Sequence, residues 1–197
     1  MPDDKDQVKT RILDSAKKRF EHYGYHKTTV EEIADDAGIG KGTVYLHFRS
    51  KQDIFIELTI EFFEVQVKEC ESIFKTVLPI KERITKLIKA RFLSIYEYCL
   101  SVPHGHEITQ FIHSLKDDFM NISEKFRNRM DRLIMDSIVE GNNLNILNVR
   151  DPEKVSIYLP YCFVSIVSHF TIFKSKEDVE DYIDTVVDLF YEGMRAR

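Results

Sequence analysis

The stretch from Thr28 to Lys51, which reads TTVEEIADDAGIGKGTVYLHFRSK, constrains the fold most, because two short helical patterns meet at a glycine within it. Thr28 and Thr29 each stand three residues before a glutamate, so either hydroxyl can cap the start of a helix. Gly38 predicts the end of that helix, since glycine readily takes the left-handed backbone of a helix terminus. The apolar residues between these points recur at helical spacing: Val30, Ile33, Ala34 and Ala37. This half of the stretch is therefore predicted to be a short amphipathic helix.

A second helix is predicted from about Lys41 to Phe48, in which Val44 and Phe48 lie four residues apart and face inward. Two helices joined by a short glycine-containing turn can place the second helix in the major groove of DNA. Its remaining side chains suit phosphate and groove contacts, because they offer a charge, hydroxyl and imidazole donors, and a glycine that permits close approach. They are Lys41, Gly42, Thr43, Tyr45 and His47. A packing hairpin in an ordinary helical bundle is the alternative that the pattern leaves open.

The same segment resembles the DNA-binding region of TetR-type transcriptional regulators. Their pattern Thr-x-x-x-Ile-Ala-x-x-Ala-Gly, then Lys-Gly-Thr-x-Tyr-x-His-Phe-x-x-Lys, occurs from Thr29 to Lys51, and the resemblance covers about the first quarter of the chain. It implies that the matching side chains contact DNA: Thr29, Lys41, Gly42, Thr43, Tyr45, His47 and Lys51. We add Thr28, the other candidate cap, to this predicted DNA-binding set.

Two residues depart from the family pattern. Gly40 stands where many relatives have serine, so the second helix loses a side-chain cap, at a cost of only a few tenths of a kcal/mol. Leu46 replaces a commonly polar or aromatic residue and predicts an apolar contact, for example with a thymine methyl group. The operator sequence therefore cannot be inferred from that of a relative.

The whole chain is predicted to be all-α, with about nine helices. Only 7 Gly and 5 Pro occur, and no alternating apolar run is flanked by hairpin dipeptides, so strands have little support. We expect an N-terminal three-helix helix-turn-helix domain at residues 1–51, joined to a helical effector-binding and dimerisation domain at residues 52–197. The cysteines are scattered and odd in number, and no run approaches the roughly 20 apolar residues of a membrane span, which favours a cytoplasmic protein without membrane contact.

Charge is distributed unevenly along the chain. The net charge is -5 overall, but residues 1–51 carry +1 and the remainder carries -6. The difference has the sign expected of a DNA-binding first domain, although it is modest. We therefore expect binding that depends on a few well-placed phosphate contacts and weakens steeply as salt rises.

The last two predicted helices indicate a homodimer. The segment from Val155 to Phe170 is apolar nearly all round, with Pro160 expected to bend it, and a soluble chain tolerates such a helix if part of it packs against a partner. The final helix carries a further apolar stripe: Val179, Ile183, Val186, Phe190 and Met194. A helix-turn-helix reads only a few base pairs, so two copies related by a two-fold axis predict a palindromic double-stranded DNA operator.

The resemblance also implies an effector pocket in the middle helices, with the fourth helix transmitting its occupancy to the DNA-binding end. The candidate wall is aromatic and apolar: Phe62, Phe92, Tyr96, Phe111, Phe126, Met130 and Tyr161. Aromatic residues at helical spacing are also typical of an ordinary core, and this alternative stays open. Because few buried charges can be assigned to the middle helices, we expect a largely apolar small-molecule effector.

These patterns predict a ligand-responsive transcriptional regulator, a repressor that binds its operator as a dimer and is released by the effector. One alternative is a helical-bundle lipid carrier or enzyme in which the N-terminal hairpin is only structural. The sequence shows no nucleophile with a base, no paired carboxylates at a defined site and no glycine-rich phosphate loop. We therefore predict no catalytic residue. A second is a metal-responsive regulator, suggested by His104, His106 and His113. No carboxylate or thiol near these histidines has convincing metal-ligand spacing, so we predict no metal site and no cofactor.

Overall fold

A computed structural model describes residues 5–105, 107, 117–168 and 172–196 of the chain. Within these ranges the secondary structure is helical, apart from an isolated bridge between Leu147 and Arg195. The helices are α1 (Lys5–Tyr23), α2 (Val30–Asp36), α3 (Lys41–His47), α4 (Lys51–Lys75), α5 (Ile80–Ser101), α6 (Asp117–Asn143), α7 (Pro152–Tyr161), α8 (Val164–Ser168) and α9 (Lys176–Met194). The prediction of an all-α protein is confirmed. The spacing of Ile108, Phe111 and Ile112 also predicts a short helix from Glu107 to Leu115, which lies, apart from Glu107 itself, outside the described residues.

The described residues fall into two compact units. The N-terminal unit comprises those within Met1–Phe63 and Tyr98–Met120, and the C-terminal unit comprises those within Glu64–Glu97 and Asn121–Arg197. These units are defined by contacts in space, whereas the predicted domains at 1–51 and 52–197 were drawn from sequence. The predicted domain boundary stays a prediction.

The core of the N-terminal unit is built by α1, α2, α3 and the first turns of α4. Its largest fully buried side chains are Ile12, Phe20, Ile33 and Ile54. Phe20, Tyr25 and Phe55 meet as an aromatic cluster, with ring centroids 5.2 to 5.8 Å apart, in tilted and edge-on geometries that aromatic pairs prefer. This core joins the end of α1 to the start of α4. Helices α2 and α3 each bury one face in it and expose the other.

Both ends of α2 are held by local hydrogen bonds. Thr29 is the N-cap: its hydroxyl oxygen accepts from the Glu32 N–H at 3.2 Å, and its own N–H donates to the Glu32 carboxylate at 2.8 Å. At the other end Gly38 has φ +66°, and the Ile39 N–H donates to the Ala34 carbonyl at 3.0 Å. Of the two candidate caps, Thr29 is therefore the one used.

The C-terminal unit has its own core. Its fully buried side chains include Ile84 and Ile88 of α5, Ile134 and Ile138 of α6, Leu159 of α7, Phe163 of the turn that follows, Ile166 of α8, and Ile183 and Val187 of α9. Phe92 packs against Phe163 with ring centroids 5.7 Å apart. Leu159 and Pro160 of the apolar helix α7 are buried in this core.

The segment predicted as one bent helix through Phe170 is instead two helices, α7 and α8, separated at Cys162 and Phe163. Pro160 has no N–H to donate to the preceding turn, which removes one bond of the helical ladder. Beyond it, the Cys162 N–H donates to the Leu159 carbonyl and the Phe163 N–H to the Pro160 carbonyl, both over three residues instead of four. The expected bend is therefore a break.

The inner face of α9 also differs from the predicted stripe. Val179, Ile183 and Met194 are buried as predicted, but Val187 and Tyr191 fill the positions assigned to Val186 and Phe190. Phe190 and its neighbour Leu189 are exposed. The two choices differ by one residue in a run that is apolar at every candidate position, so periodicity alone could not separate them.

The capping box makes a test of α2. We expect Thr29→Ala to lower the free energy of unfolding by about 1 kcal/mol, because the Glu32 N–H loses its acceptor. Thr29→Ser keeps the hydroxyl and should retain most of the stability. Urea denaturation followed by circular dichroism measures both variants, and equal loss in the two would contradict a capping role.

Candidate nucleic-acid interface

Helix α3 packs on the core through two side chains that lie one helical turn apart. Val44 is its one buried residue, and Phe48, which follows the helix, is also buried. This agrees with the predicted inward pair at i and i+4. The other six residues of α3 are exposed or partly exposed, which leaves most of the helix surface able to meet a ligand as large as a duplex.

The outer surface of α3 carries the predicted DNA-binding residues. Lys41, Gly42 and Tyr45 are exposed, and Thr43 and His47 are partly buried. Leu46 is 79% exposed, which is unusual for a leucine and agrees with the expectation that it makes an apolar contact outside its own fold. Gly40 precedes the helix with φ -74°, and a Cβ there would meet nothing within 4 Å, so the serine of many relatives would fit.

Lys41 forms an exposed ion pair with Glu31 of α2. The hydrogen bond to Glu31 raises the pKa of the Lys41 ammonium above its ordinary value, so the side chain is charged at physiological pH. Exposed pairs of this kind contribute little to stability, because water screens both partners. A DNA phosphate can therefore replace Glu31 as the partner of Lys41 at small cost.

The structure does not support a DNA contact by Thr28. The residue is 1% exposed, and its hydroxyl donates to the Gly24 carbonyl at 2.9 Å. Thr29 is exposed, although its hydroxyl is already hydrogen-bonded to Glu32. The sequence could not separate these neighbours, because both threonines precede a glutamate at the capping distance.

Lys51 has a structural task that its sequence pattern did not reveal. Its ammonium donates to the Tyr25 and Thr28 carbonyls, at 2.7 Å each, and lies 4.3 Å from the centroid of the Tyr25 ring. Burial lowers the pKa of Lys51, while the charge of Glu32 opposes that shift. Two of the three ammonium donors thus hold the loop between α1 and α2 against the start of α4.

Arg19 of α1 connects two helices through its guanidinium group. Its guanidinium makes two hydrogen bonds to the Asp36 carboxylate, at 2.6 and 2.8 Å, and lies 3.1 Å from a Glu32 oxygen. The pairing raises the pKa of Arg19 and holds that of Asp36 below its ordinary value. The paired, planar geometry links α1 to the last turn of α2.

The predicted effector-pocket residues have different surroundings. Phe62 belongs to the N-terminal unit, where its ring centroid lies 5.6 Å from that of Tyr98. In the C-terminal unit, Tyr161 is exposed. The buried candidates of that unit are Phe92, Tyr96, Phe126 and Met130. Phe111 lies outside the described residues. Burial of these side chains is compatible with a pocket wall and with ordinary core packing, so the pocket stays a prediction.

The described residues contain no group of three or more His, Cys, Asp or Glu side chains placed to hold a metal ion. His104 pairs with Glu107, with 3.0 Å between Nδ1 and Oε1, and the predicted partners His106 and His113 lie outside the described ranges. None of the helices in the described part of the chain has the length and apolarity needed to cross a membrane.

The chain is similar in sequence to known transcriptional regulators, and the similarity includes the segment around α3. A model of the family described as bacterial regulatory proteins, tetR family, matches residues 12–58. The chain is 29% identical over 141 residues to the fatty acid metabolism regulator protein of Bacillus subtilis (strain 168), covering 71% of this chain and 73% of that protein. It is 27% identical over 146 residues to the HTH-type transcriptional repressor KstR2 of Mycolicibacterium smegmatis, covering 72% and 71% of the two chains.

A solved structure shares the fold over nearly the whole length. The transcriptional regulator of the TetR/AcrR family from Thermobifida fusca superposes with a TM-score of 0.75 at 18% identity, covering 95% of this chain and 98% of that one. The similarity in structure extends well beyond the matched first segment. At this identity it establishes the fold and carries no information on the ligand.

The contacts of Lys51 can be tested separately from any DNA contact. We expect Lys51→Met to lower the free energy of unfolding by about 1–3 kcal/mol, because the Tyr25 and Thr28 carbonyls lose a charged donor. Lys27→Met, at an exposed position in the same loop, should change it little. Urea denaturation without DNA measures both, and an unchanged midpoint for Lys51→Met would contradict the structural task.

Proposed function

We propose that the chain is a transcriptional regulator of the TetR family, a repressor that binds a palindromic operator as a homodimer and is released by a small, largely apolar effector. The observation that carries the proposal is the exposure of α3: Val44 is its one buried residue, and the others, apart from Leu46, fit the TetR-type DNA-binding pattern. The lipid-carrier, enzyme and metal-sensor alternatives have no comparable support, because the relatives of this chain are named as regulators. Its operator would be reached in the cytosol.

The proposed DNA-contacting set is revised in one position. It comprises Thr29, Lys41, Gly42, Thr43, Tyr45, His47 and Lys51, with Leu46 as an apolar contact. Thr28 is left out because its side chain is buried. In this arrangement α3 lies along the major groove, and Lys41 exchanges Glu31 for a phosphate. Lys51 offers at most the one ammonium donor that the two loop carbonyls leave.

We propose that dimerisation uses the apolar surface that α7 and α9 leave exposed. Its residues are Ile157, Tyr158, Tyr161, Leu189 and Phe190. Apolar and aromatic side chains at this density are typical of the core of a protein interface. Pairing of two copies supplies the second α3 that a palindromic operator requires.

The effector is proposed to bind in the domain at 52–197, among the buried aromatic residues of its middle helices. Phe92, Tyr96 and Phe126 supply apolar surface there. A lipid-like effector is further supported by the relative named for fatty acid metabolism. Release follows if the effector binds more tightly to a conformer that cannot place both α3 helices in adjacent grooves, since the loss of DNA affinity then equals the difference in effector binding energy.

DNA contact by α3 predicts a specific effect of two exposed side chains. We expect Lys41→Ala and Tyr45→Ala each to weaken binding to the DNA upstream of the chain's own gene. Lys41→Ala should also reduce the slope of log affinity against log salt by about one unit per subunit, because one phosphate contact is lost. Mobility shifts over a salt series measure this, with Lys68→Ala, exposed on α4, as control. An unaltered affinity in both α3 variants would refute the proposed contact.

Dimerisation through α7 and α9 predicts that a charge in their exposed surface gives a monomer. We expect Leu189→Glu to halve the mass measured by light scattering and to abolish operator binding, because the carboxylate would be desolvated in the interface. Val77→Glu places the same charge on another fully exposed apolar residue and should leave the dimer intact. A dimeric Leu189→Glu protein with normal operator affinity would place the interface elsewhere.

A further inference from the structure

A buried polar cluster interrupts the apolar interior of the C-terminal unit. It consists of Gln66 on α4, Arg91 and Ser94 on α5, and Asp131 on α6. Gln66 is only 2% exposed, and Asp131 is also buried. The pair of Arg91 and Asp131 is thus one charged exception in middle helices for which the sequence predicts few buried charges.

The orientation of the Gln66 amide is set by its neighbours. Its Nε2 donates to the Ser94 hydroxyl oxygen at 2.5 Å and lies 3.4 Å from the Arg91 carbonyl oxygen. The Ser94 hydroxyl donates its own proton to the Ala90 carbonyl, and the Arg91 carbonyl can only accept. Both neighbours therefore require the amide nitrogen, which turns Oε1 away from them.

In the part of the chain that the structure describes, no donor reaches Gln66 Oε1, although this atom is inaccessible to solvent. Buried polar atoms in native proteins nearly always have a partner, and a buried acceptor without one is destabilising. The Arg91 guanidinium in the same cluster is directed to Asp131, with 2.6 Å between Nη1 and Oδ1. Among the described residues the acceptor is therefore unsatisfied, which leaves it available to a donor from outside the chain.

The chemistry around this acceptor restricts that partner. Arg91 and Asp131 neutralise each other, so the cluster presents no excess charge for an ion. Cys70, one turn along α4 from Gln66, is buried, and burial raises the pKa of its thiol to about 11, as expected in poorly solvated surroundings. A neutral group suits such a place better than a charged one.

We propose that Gln66 Oε1 accepts a hydrogen bond from the polar head of the effector, and that this head is a neutral donor, a hydroxyl or an amide N–H, on an apolar body. The inference rests on the proposed effector-binding function of this domain and narrows its ligand class. An ionised carboxylate has no proton to donate, and neither does an ester or an ether. Free fatty-acid anions are accordingly disfavoured against alcohols and amides of the same length.

The test uses two probes of the same alkyl chain, 1-dodecanol and dodecyl methyl ether, in which a methyl group replaces the hydroxyl proton. Their affinities for the full-length protein are measured by displacement of the fluorescent apolar dye 1-anilinonaphthalene-8-sulfonate. We expect dodecanol to bind roughly five- to tenfold more tightly than the ether, which is the fold-change of one hydrogen bond. This ratio in the unmodified protein requires no variant.

Variants then assign the preference to Gln66. Gln66→Leu removes the acceptor and should bring the two affinities within about twofold of each other. Gln66→Met offers a second apolar replacement if the leucine variant does not fold, as judged by circular dichroism. Gln52→Leu, at an exposed position of the same helix, should keep the preference for dodecanol.

Equal affinities of the two probes in the unmodified protein would overturn the inference and would indicate a buried water as the partner of Oε1. A preference that survives Gln66→Leu, or the absence of saturable dodecanol binding, would overturn it as well. The same protein preparations are tested for binding to the DNA upstream of the gene. If the unmodified protein binds this DNA specifically but shows no preference for dodecanol, only this inference is refuted. If the unmodified protein does not bind the DNA specifically, the proposed function is refuted.

Discussion

The anchoring of α3 by Val44 and Phe48 is the constraint on which the functional surface depends. A seven-residue helix is too short to be stable alone, so its conformation comes from its neighbours. The core of α1, α2 and the start of α4 supplies a site for Val44 and Phe48, and the other six residues of α3 are exposed or partly exposed. The surface of α3 proposed to contact DNA can be this exposed because the packing of Val44 and Phe48 is enough to anchor the helix.

Three cations of the N-terminal unit help to build that support. Arg19 links α1 to α2 through Asp36, Lys51 holds the loop before α2 through two carbonyls, and Lys9 pairs with Glu57 at 2.5 Å. Lys41, in contrast, makes an exposed pair that a phosphate can replace. Because residues 1–51 carry a net charge of only +1, the proposed affinity depends on a few well-placed contacts and on two copies of α3.

The parts of the fold that local sequence determines were predictable. The α2 stripe, its end at Gly38 and the inward pair of α3 follow from spacing alone, and the structure agrees with each. The parts that depend on tertiary placement were not. Nothing near Lys51 in the sequence indicates that the carbonyls of a loop more than twenty residues earlier surround its ammonium.

The C-terminal unit shows the same limit. The apolar segment from Val155 predicted one bent helix, but the break after Pro160 depends on hydrogen bonds that form in the folded turn. Periodicity could not choose the inner face of α9, because Val186 and Val187 both suit it. No sequence motif marks Gln66. Its Oε1 is unsatisfied among the described residues because the Ser94 hydroxyl of α5 donates to the Ala90 carbonyl instead.

The central claim is that two copies of α3 lie in successive major grooves of one duplex. Hydroxyl-radical footprinting of the DNA upstream of the gene tests it most directly, because it records the spacing and symmetry of protected backbone without any substitution. The account predicts two equivalent protected segments related by a two-fold axis and centred about 34 Å apart, or a small multiple of that distance. A single protected segment, or uniform protection without symmetry, would contradict it.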